Sequence, residues 1–223
     1  MRSEDILITL VLPSGLPALG ADEQPNANGG GFVSLIFRGA NGLATNVPGM
    51  STYVGLLRGI NVGGTGKLPM SELKLLMANL GCENIKTYIQ SGNVVFDAEP
   101  GEWNERISDA IDSSIGFRPT VLTLTDSEFR SVAAGNPFPT DEPKATHVYF
   151  LDGTPRWTAK AEMESVKSDL ERFYITDAAV YLHTPEFLSG SRLAPKLERL
   201  IGVPATARNW RTVEKILAML DER

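Results

Sequence analysis

Ile85-Lys-Thr-Tyr-Ile89 and Val94-Val-Phe96 are two short apolar runs joined by the polar tetrapeptide Gln90-Ser-Gly-Asn93. They have the length and composition of strands, and the connection between them is tight, so the segment predicts a hairpin. What flanks it decides the fold. Upstream, Tyr53 to Arg58 is another short apolar run, followed by a glycine-rich loop from Gly59 to Gly66. Pro69 then suits a first helical turn, where a missing N–H costs nothing. Met70, Leu73, Leu76, Met77 and Leu80 recur at helical spacing until Gly81 stops them. Downstream, Trp103, Ile107, Ile111 and Ile115 mark a second helix closed by Gly116, and Thr120 to Leu124 gives a fourth strand. The order β-α-β-β-α-β is that of the ferredoxin-like plait.

The order then repeats. Thr125-Asp-Ser-Glu128 has capping-box spacing and predicts a short connecting helix ending near Gly135. A proline-interrupted linker runs from Asn136 to Lys144. Thr146 to Leu151 is a strand, Pro155 to Asp169 a helix, and Arg172 to Ile175 with Val180 to His183 a hairpin across Thr176-Asp177. Leu193, Leu197, Leu200 and Ile201 make a helix stopped by Gly202, Val203 to Ala207 is a last strand, and Trp210, Val213, Leu217 and Leu220 stripe a terminal helix. The expected fold is α+β: two tandem ferredoxin-like (βαββαβ) subdomains, 50–135 with its connecting helix and 136–223 with the C-terminal helix. The repeat is one of architecture, without residue-level similarity between the halves.

Residues 1–49 differ from this body. They hold 12 of the chain's 35 glycines and prolines and have no Lys, Tyr or Trp. Two apolar stretches, Ile6 to Leu12 and Phe32 to Phe37, are too short for a membrane span. Glu4 and Asp5 stand where a secretory signal needs basic residues. Met50 is the expected functional start, with 1–49 a disordered leader or mis-called extension; a β-hairpin of the two apolar stretches is the alternative.

Across all 223 residues, 42% are hydrophobic and 22% charged, ordinary for a globular chain. The net charge of -6 argues against sequence-independent binding to nucleic acid or anionic membranes, which needs clustered cations. One cysteine, Cys82, excludes an intramolecular disulfide and a Cys-rich zinc site, and two histidines leave little for a His-based metal cage. No cofactor or metal is implied, and the expected compartment is the cytoplasm.

Four separated motifs carry a family resemblance: Tyr53-Val-Gly-Leu-Leu-Arg-Gly-Ile-Asn-Val-Gly-Gly64, Tyr88-Ile-Gln-Ser-Gly-Asn-Val-Val-Phe96, Asn136-Pro-Phe138 and Ala207-Arg-Asn-Trp-Arg-Thr-Val213. In this order they resemble the bacterial family called domain of unknown function 1697, from about residue 50 to 223. The resemblance implies an α+β protein of two ferredoxin-like subdomains, and it implies no activity. Ser191-Arg-Leu193 departs from the Ser-Lys-Leu common in relatives, keeping a cation of different geometry.

The loop from Arg58 to Lys67 is the leading functional candidate. Its glycines would let backbone N–H groups approach an anion, Arg58 and Lys67 bracket it with positive charge, and it leads into a helix N-terminus. It is not a P-loop: Asn61 replaces the required glycine, and Leu68 follows Lys67. The alternative is that the glycines only turn the chain from strand to helix. Gln90 and Ser91 are less needed by a hairpin turn than Gly92 and Asn93, and Tyr88 alternates onto the face of Gln90. Arg208 and Arg211 flank the expected start of the terminal helix, where cations oppose the dipole, so each calls for a carboxylate or an anion. A small anionic metabolite or nucleotide, held by Arg58, Asn61, Lys67, Gln90, Ser91, Arg208 and Arg211 in a cleft between subdomains, is the first reading. No general acid, base or nucleophile stands out, so no reaction is assigned. A protein-interaction module, using a sheet edge or the terminal helix, is the alternative. An RNA-binding plait ranks below both, because Asn93 and Val95 occupy sites where stacking aromatics belong.

Overall fold

The computed structural model describes residues 9–10, 33–34, 49–63, 66–185 and 188–223. The chain divides into two units, Met1–Asn46 and Val47–Arg223. In the first, β1 (Thr9–Leu10) pairs antiparallel with β2 (Val33–Ser34), each strand lying within one of the two apolar stretches. The disordered-leader expectation concerns residues that lie outside the described ones.

The second unit carries the fold. Its first plait is β3 (Ser51–Arg58), α1 (Met70–Asn79), β4 (Glu83–Tyr88), β5 (Asn93–Ala98), α2 (Trp103–Ile115) and β6 (Thr120–Thr125). The sheet order β4-β5-β3-β6, antiparallel throughout, is the ferredoxin-like order. After α3 (Asp126–Ala134) come β7 (Thr146–Leu151), α4 (Ala159–Val166), β8 (Arg172–Ile175), β9 (Ala179–His183), α5 (Leu197–Ile201) and β10 (Ala205–Asn209). Their order, β10-β7-β9-β8, repeats the first topology. α6 (Trp210–Asp221) follows directly.

Local chemistry accounts for most boundaries. The Thr125–Glu128 capping box forms, starting α3 as β6 ends. Gly116 and Gly202 close α2 and α5 in the left-handed conformation. Three elements differ from the sequence expectation. α4 starts only at Ala159, four residues after Pro155. The helix expected from Leu193 is a 3₁₀ turn, Ala194–Lys196, before a short α5. The last strand is displaced towards the C-terminus: Pro204 lacks the N–H that ladder pairing uses, and the strand runs from Ala205 to Asn209. Arg208 therefore sits in a strand, not in a helix turn.

Each sheet is covered on both faces. Tyr53, Leu57, Val94 and Phe96 face α1 and α2, where Trp103, Ile107 and Ile111 bury. Tyr149, Leu151, Val180 and Leu182 face α4 and α5. The opposite faces, Val54, Leu56 and Val95 of one sheet and Val148, Phe150 and Tyr181 of the other, share one core with Phe129 of α3 and Trp210, Val213 and Ile216 of α6. The Tyr181 hydroxyl donates to Val132 O at 2.6 Å, tying the second sheet to α3. α6 thus serves both sheets. Ile216→Ala should cost about 2–4 kcal/mol in urea denaturation, as a cavity in a shared core. Lys215→Ala on the outer side of the same helix should stay within about 0.5 kcal/mol. Equal losses would mean that α6 is not the shared layer.

Candidate functional site

At the end of β3, the loop and the hairpin are fastened together. Leu57 N donates to Gly92 O at 2.8 Å. Asn61, in the left-handed region at φ 54°, accepts from Leu68 N and donates through Nδ2 to Leu68 O at 2.9 Å and Gln90 O at 2.8 Å. The hairpin reaches positive φ at Ile89 and Gly92, not at Asn93. Gly92 is fixed sterically as well: a Cβ there would lie 2.6 Å from the Leu57 Cβ. Asn93 instead opens β5, fully buried, with Nδ2 donating to Tyr88 O at 3.1 Å and Ser91 Oγ at 3.2 Å. Tyr88 packs against the shared core and does not join Gln90, which is exposed.

Arg208 crosses from β10 to this hairpin. Its Nε donates to Asn93 Oδ1, its Nη1 to Ala207 O at 2.8 Å, and its Nη2 to Leu57 O at 2.7 Å, Gly92 O at 3.2 Å and Ser91 O at 3.3 Å. All are neutral oxygens; among the described residues no carboxylate pairs with it. Burial alone pushes its pKa down to about 10, which leaves it a cation near neutrality.

Arg58 has a different partner. Its guanidinium forks onto Glu198 of α5, with Nη2 to Oε2 at 2.7 Å, and Nη1 also reaches Ala205 O at 3.2 Å. Glu198 accepts from Ala205 N at 2.9 Å as well. Burial works to raise the Glu198 pKa, but the bonds from Arg58 and Ala205 outweigh it and hold the carboxyl below its ordinary value. Behind this pair stands Tyr149, its hydroxyl pushed up to about 12 by burial and then by the charges of Glu171 and Glu198. Glu171 is buried and accepts from Ser168 N at 2.8 Å, Leu193 N at 3.2 Å and the Ser191 hydroxyl. Burial raises its pKa, and these bonds bring it below the ordinary value.

These groups frame a cleft of about 340 Å³ between the plaits, lined by Leu57, Arg58, Ile60, Val62 and Ser91 on one side and Tyr149, Pro195, Glu198, Thr206 and Arg208 on the other. Of the residues singled out in the sequence, Arg58, Ser91 and Arg208 meet here. Asn61 and Gln90 brace the loops without lining the cleft, and Lys67 is exposed and outside it. Arg211 lines a separate cavity of about 520 Å³ with Glu142, Lys144, Thr184 and Glu214. Asn93, Tyr149 and Glu198 carry the geometry and escape sequence reasoning. Asn93 resembles a turn residue, Tyr149 a strand core residue, and Glu198 is one acid on a basic segment. Among the described residues no cluster of His, Cys, Asp and Glu could hold a metal.

One of the two histidines, His147, lies in β7. Its Nδ1 is buried with no hydrogen-bond partner among the described residues, and burial lowers its pKa to about 4. Burial, then the Arg172 charge, lowers His183 too; its Nδ1 lies 3.1 Å from Thr146 Oγ1.

Two plaits back to back on a shared helical layer, with an arginine-centred cleft on their seam, define the class of protein. The profile of the family described as protein of unknown function (DUF1697) matches residues 50–181, more than half the chain, and the chain belongs to that family. The motif Ala207–Val213 lies beyond the matched residues. Solved structures match as well, among them a conserved bacterial protein from Streptococcus pneumoniae, 26% identical, with a TM-score of 0.62 over 77% of this chain and 99% of that one. No curated protein matches.

Two measurements check this geometry. Asn93→Ala removes the acceptor of the Arg208 Nε–H and the side-chain bond to Tyr88 O, and should cost about 2–4 kcal/mol in urea denaturation. Arg58→Ala, which breaks a half-exposed ion pair, should cost less than about 1 kcal/mol. The reverse ranking would show that the ion pair, not the Arg208 cage, holds the seam. A histidine whose folded pKa lies below its unfolded value leaves stability complete above the unfolded pKa and loses it as protons bind the unfolded state first. The urea midpoint should therefore fall between about pH 6.5 and pH 4, and fall less in His147→Gln. An identical fall in the variant would assign the loss elsewhere.

Proposed function

We propose that the cleft between the two plaits binds a small anionic organic molecule. The observation that supports this is Arg208, a cation on the cleft wall with neutral oxygens around it and no carboxylate partner among the described residues. Taking a guanidinium out of water without a counter-charge is costly, and an anion entering the cleft offsets that cost. The Leu57 and Ser91 carbonyls fix the orientation of the guanidinium, so the anchor is preorganised. Arg58 and Ser91 stand at the same opening, while Asn61 and Gln90 act through loop shape. Lys67 and Arg211 are outside this assignment.

The competing readings have less support. Both sheets have both faces covered, so an RNA-binding plait has no open sheet face for stacking bases. The apolar face of α6 is spent on the shared core, which removes the terminal helix as a docking surface. Among the described residues no helix is long and apolar enough to cross a membrane.

Titrating benzoate, citrate and adenosine monophosphate into the isotope-labelled full chain tests the proposal. At least one should move backbone amide resonances of residues 57–60, 91 and 205–208 together, in a saturable manner. Unmoved or scattered shifts with all three would sink it.

A further inference from the structure

We infer that the ligand of this cleft is a monocarboxylate with an apolar body, in preference to a phosphate ester; this rests on the ligand-binding reading above. The argument begins with charge. Arg58 and Glu198 both line the cleft and cancel, since their bidentate pair is formed within it. Arg208 is then the one uncompensated charge on the wall among the described residues. Glu171 stands behind Tyr149, its charge felt at the Tyr149 hydroxyl, and adds negative potential without lining the cleft. A monoanion matches Arg208. A dianion brings a second charge for which the wall has no free cation among the described residues, and which Glu171 repels.

Shape and polarity agree. The cleft's volume is at the low end of the roughly 300–1,000 Å³ usual for small-molecule sites. Between and beside the charged groups the lining includes Leu57, Ile60, Val62, Pro195 and Tyr149. That surface suits a hydrocarbon or aromatic body and gives a sugar few hydrogen-bond partners. The Tyr149 hydroxyl, held protonated, can donate to a carboxylate oxygen and cannot ionise to oppose it.

Phenylacetate and phenyl phosphate share a ring and differ in charge, the phosphate being a dianion at about pH 8. Calorimetric titration of the full chain at low salt should give phenylacetate the tighter binding by about tenfold. Glu198→Gln releases the Arg58 charge to the cleft, and the preference should invert towards phenyl phosphate; a purely structural role for Glu198 would weaken both probes alike. Arg58→Gln, which instead leaves Glu198 unpaired, should weaken phenylacetate by at least about tenfold, and this holds the test together if Glu198→Gln fails to fold. Tighter binding of phenyl phosphate by the unmodified chain overturns the inference and leaves the ligand-binding reading standing. Binding of neither probe, with no amide shifts from the three anions above, overturns both.

Discussion

Two four-stranded sheets present four apolar faces, and the helices of a plait cover only one face of each. α1 and α2 cover one, α4 and α5 another. The two faces left over are covered by the same pair, α3 and α6, and by each other. This constraint explains why the plaits cannot be independent beads. It turns Val54, Leu56, Val148 and Phe150, which would face water in isolated plaits, into buried residues of a single core. It also explains why the chain continues past β10: without α6 the plan has a missing layer.

The seam follows from that shared layer. Because β3 and β10 are drawn together, the end of one strand delivers Arg58 and the other delivers Arg208 to the same gap. The two arginines then behave differently. Arg58 reaches a carboxylate and becomes an ordinary half-exposed ion pair. Arg208 reaches only carbonyls and one amide, and it joins hairpin, strand end and β10 through neutral acceptors. Such a cage supplies orientation but no neutralisation, which sets the cleft's character.

Nearly the whole plan of strands and helices was legible in the sequence, because each plait element carries its own local signal. The Thr125 box, the Gly116 stop and the Thr146–Leu151 run need no tertiary information. The site was legible only in part. Arg58 and Arg208 could be singled out as cations in unusual company, but a sequence separation of 140 between Arg58 and Glu198 hides their pairing. Asn93 resembled a turn residue because Gly92 stands before it, whereas the left-handed geometry is taken by Gly92 and by Ile89, a β-branched residue no propensity would choose for it. The glycine-rich loop singles out Lys67 and the helix dipole singles out Arg211, but neither signal says which way a side chain faces: Lys67 is exposed and Arg211 lines another cavity.

The shared layer has a consequence for synthesis. α6 leaves the ribosome after every strand it covers, so the first plait can close its outer core while Val54, Leu56 and Val95 still lack half of their cover. For the time needed to translate the second plait, the nascent chain carries a sticky sheet face. α3, capped by its own box and adjacent in sequence to β6, is the only part of the shared layer already made among the described residues. Of the two helices that cover that face, α3 is thus the one whose own sequence allows it to form and dock before the second plait is made.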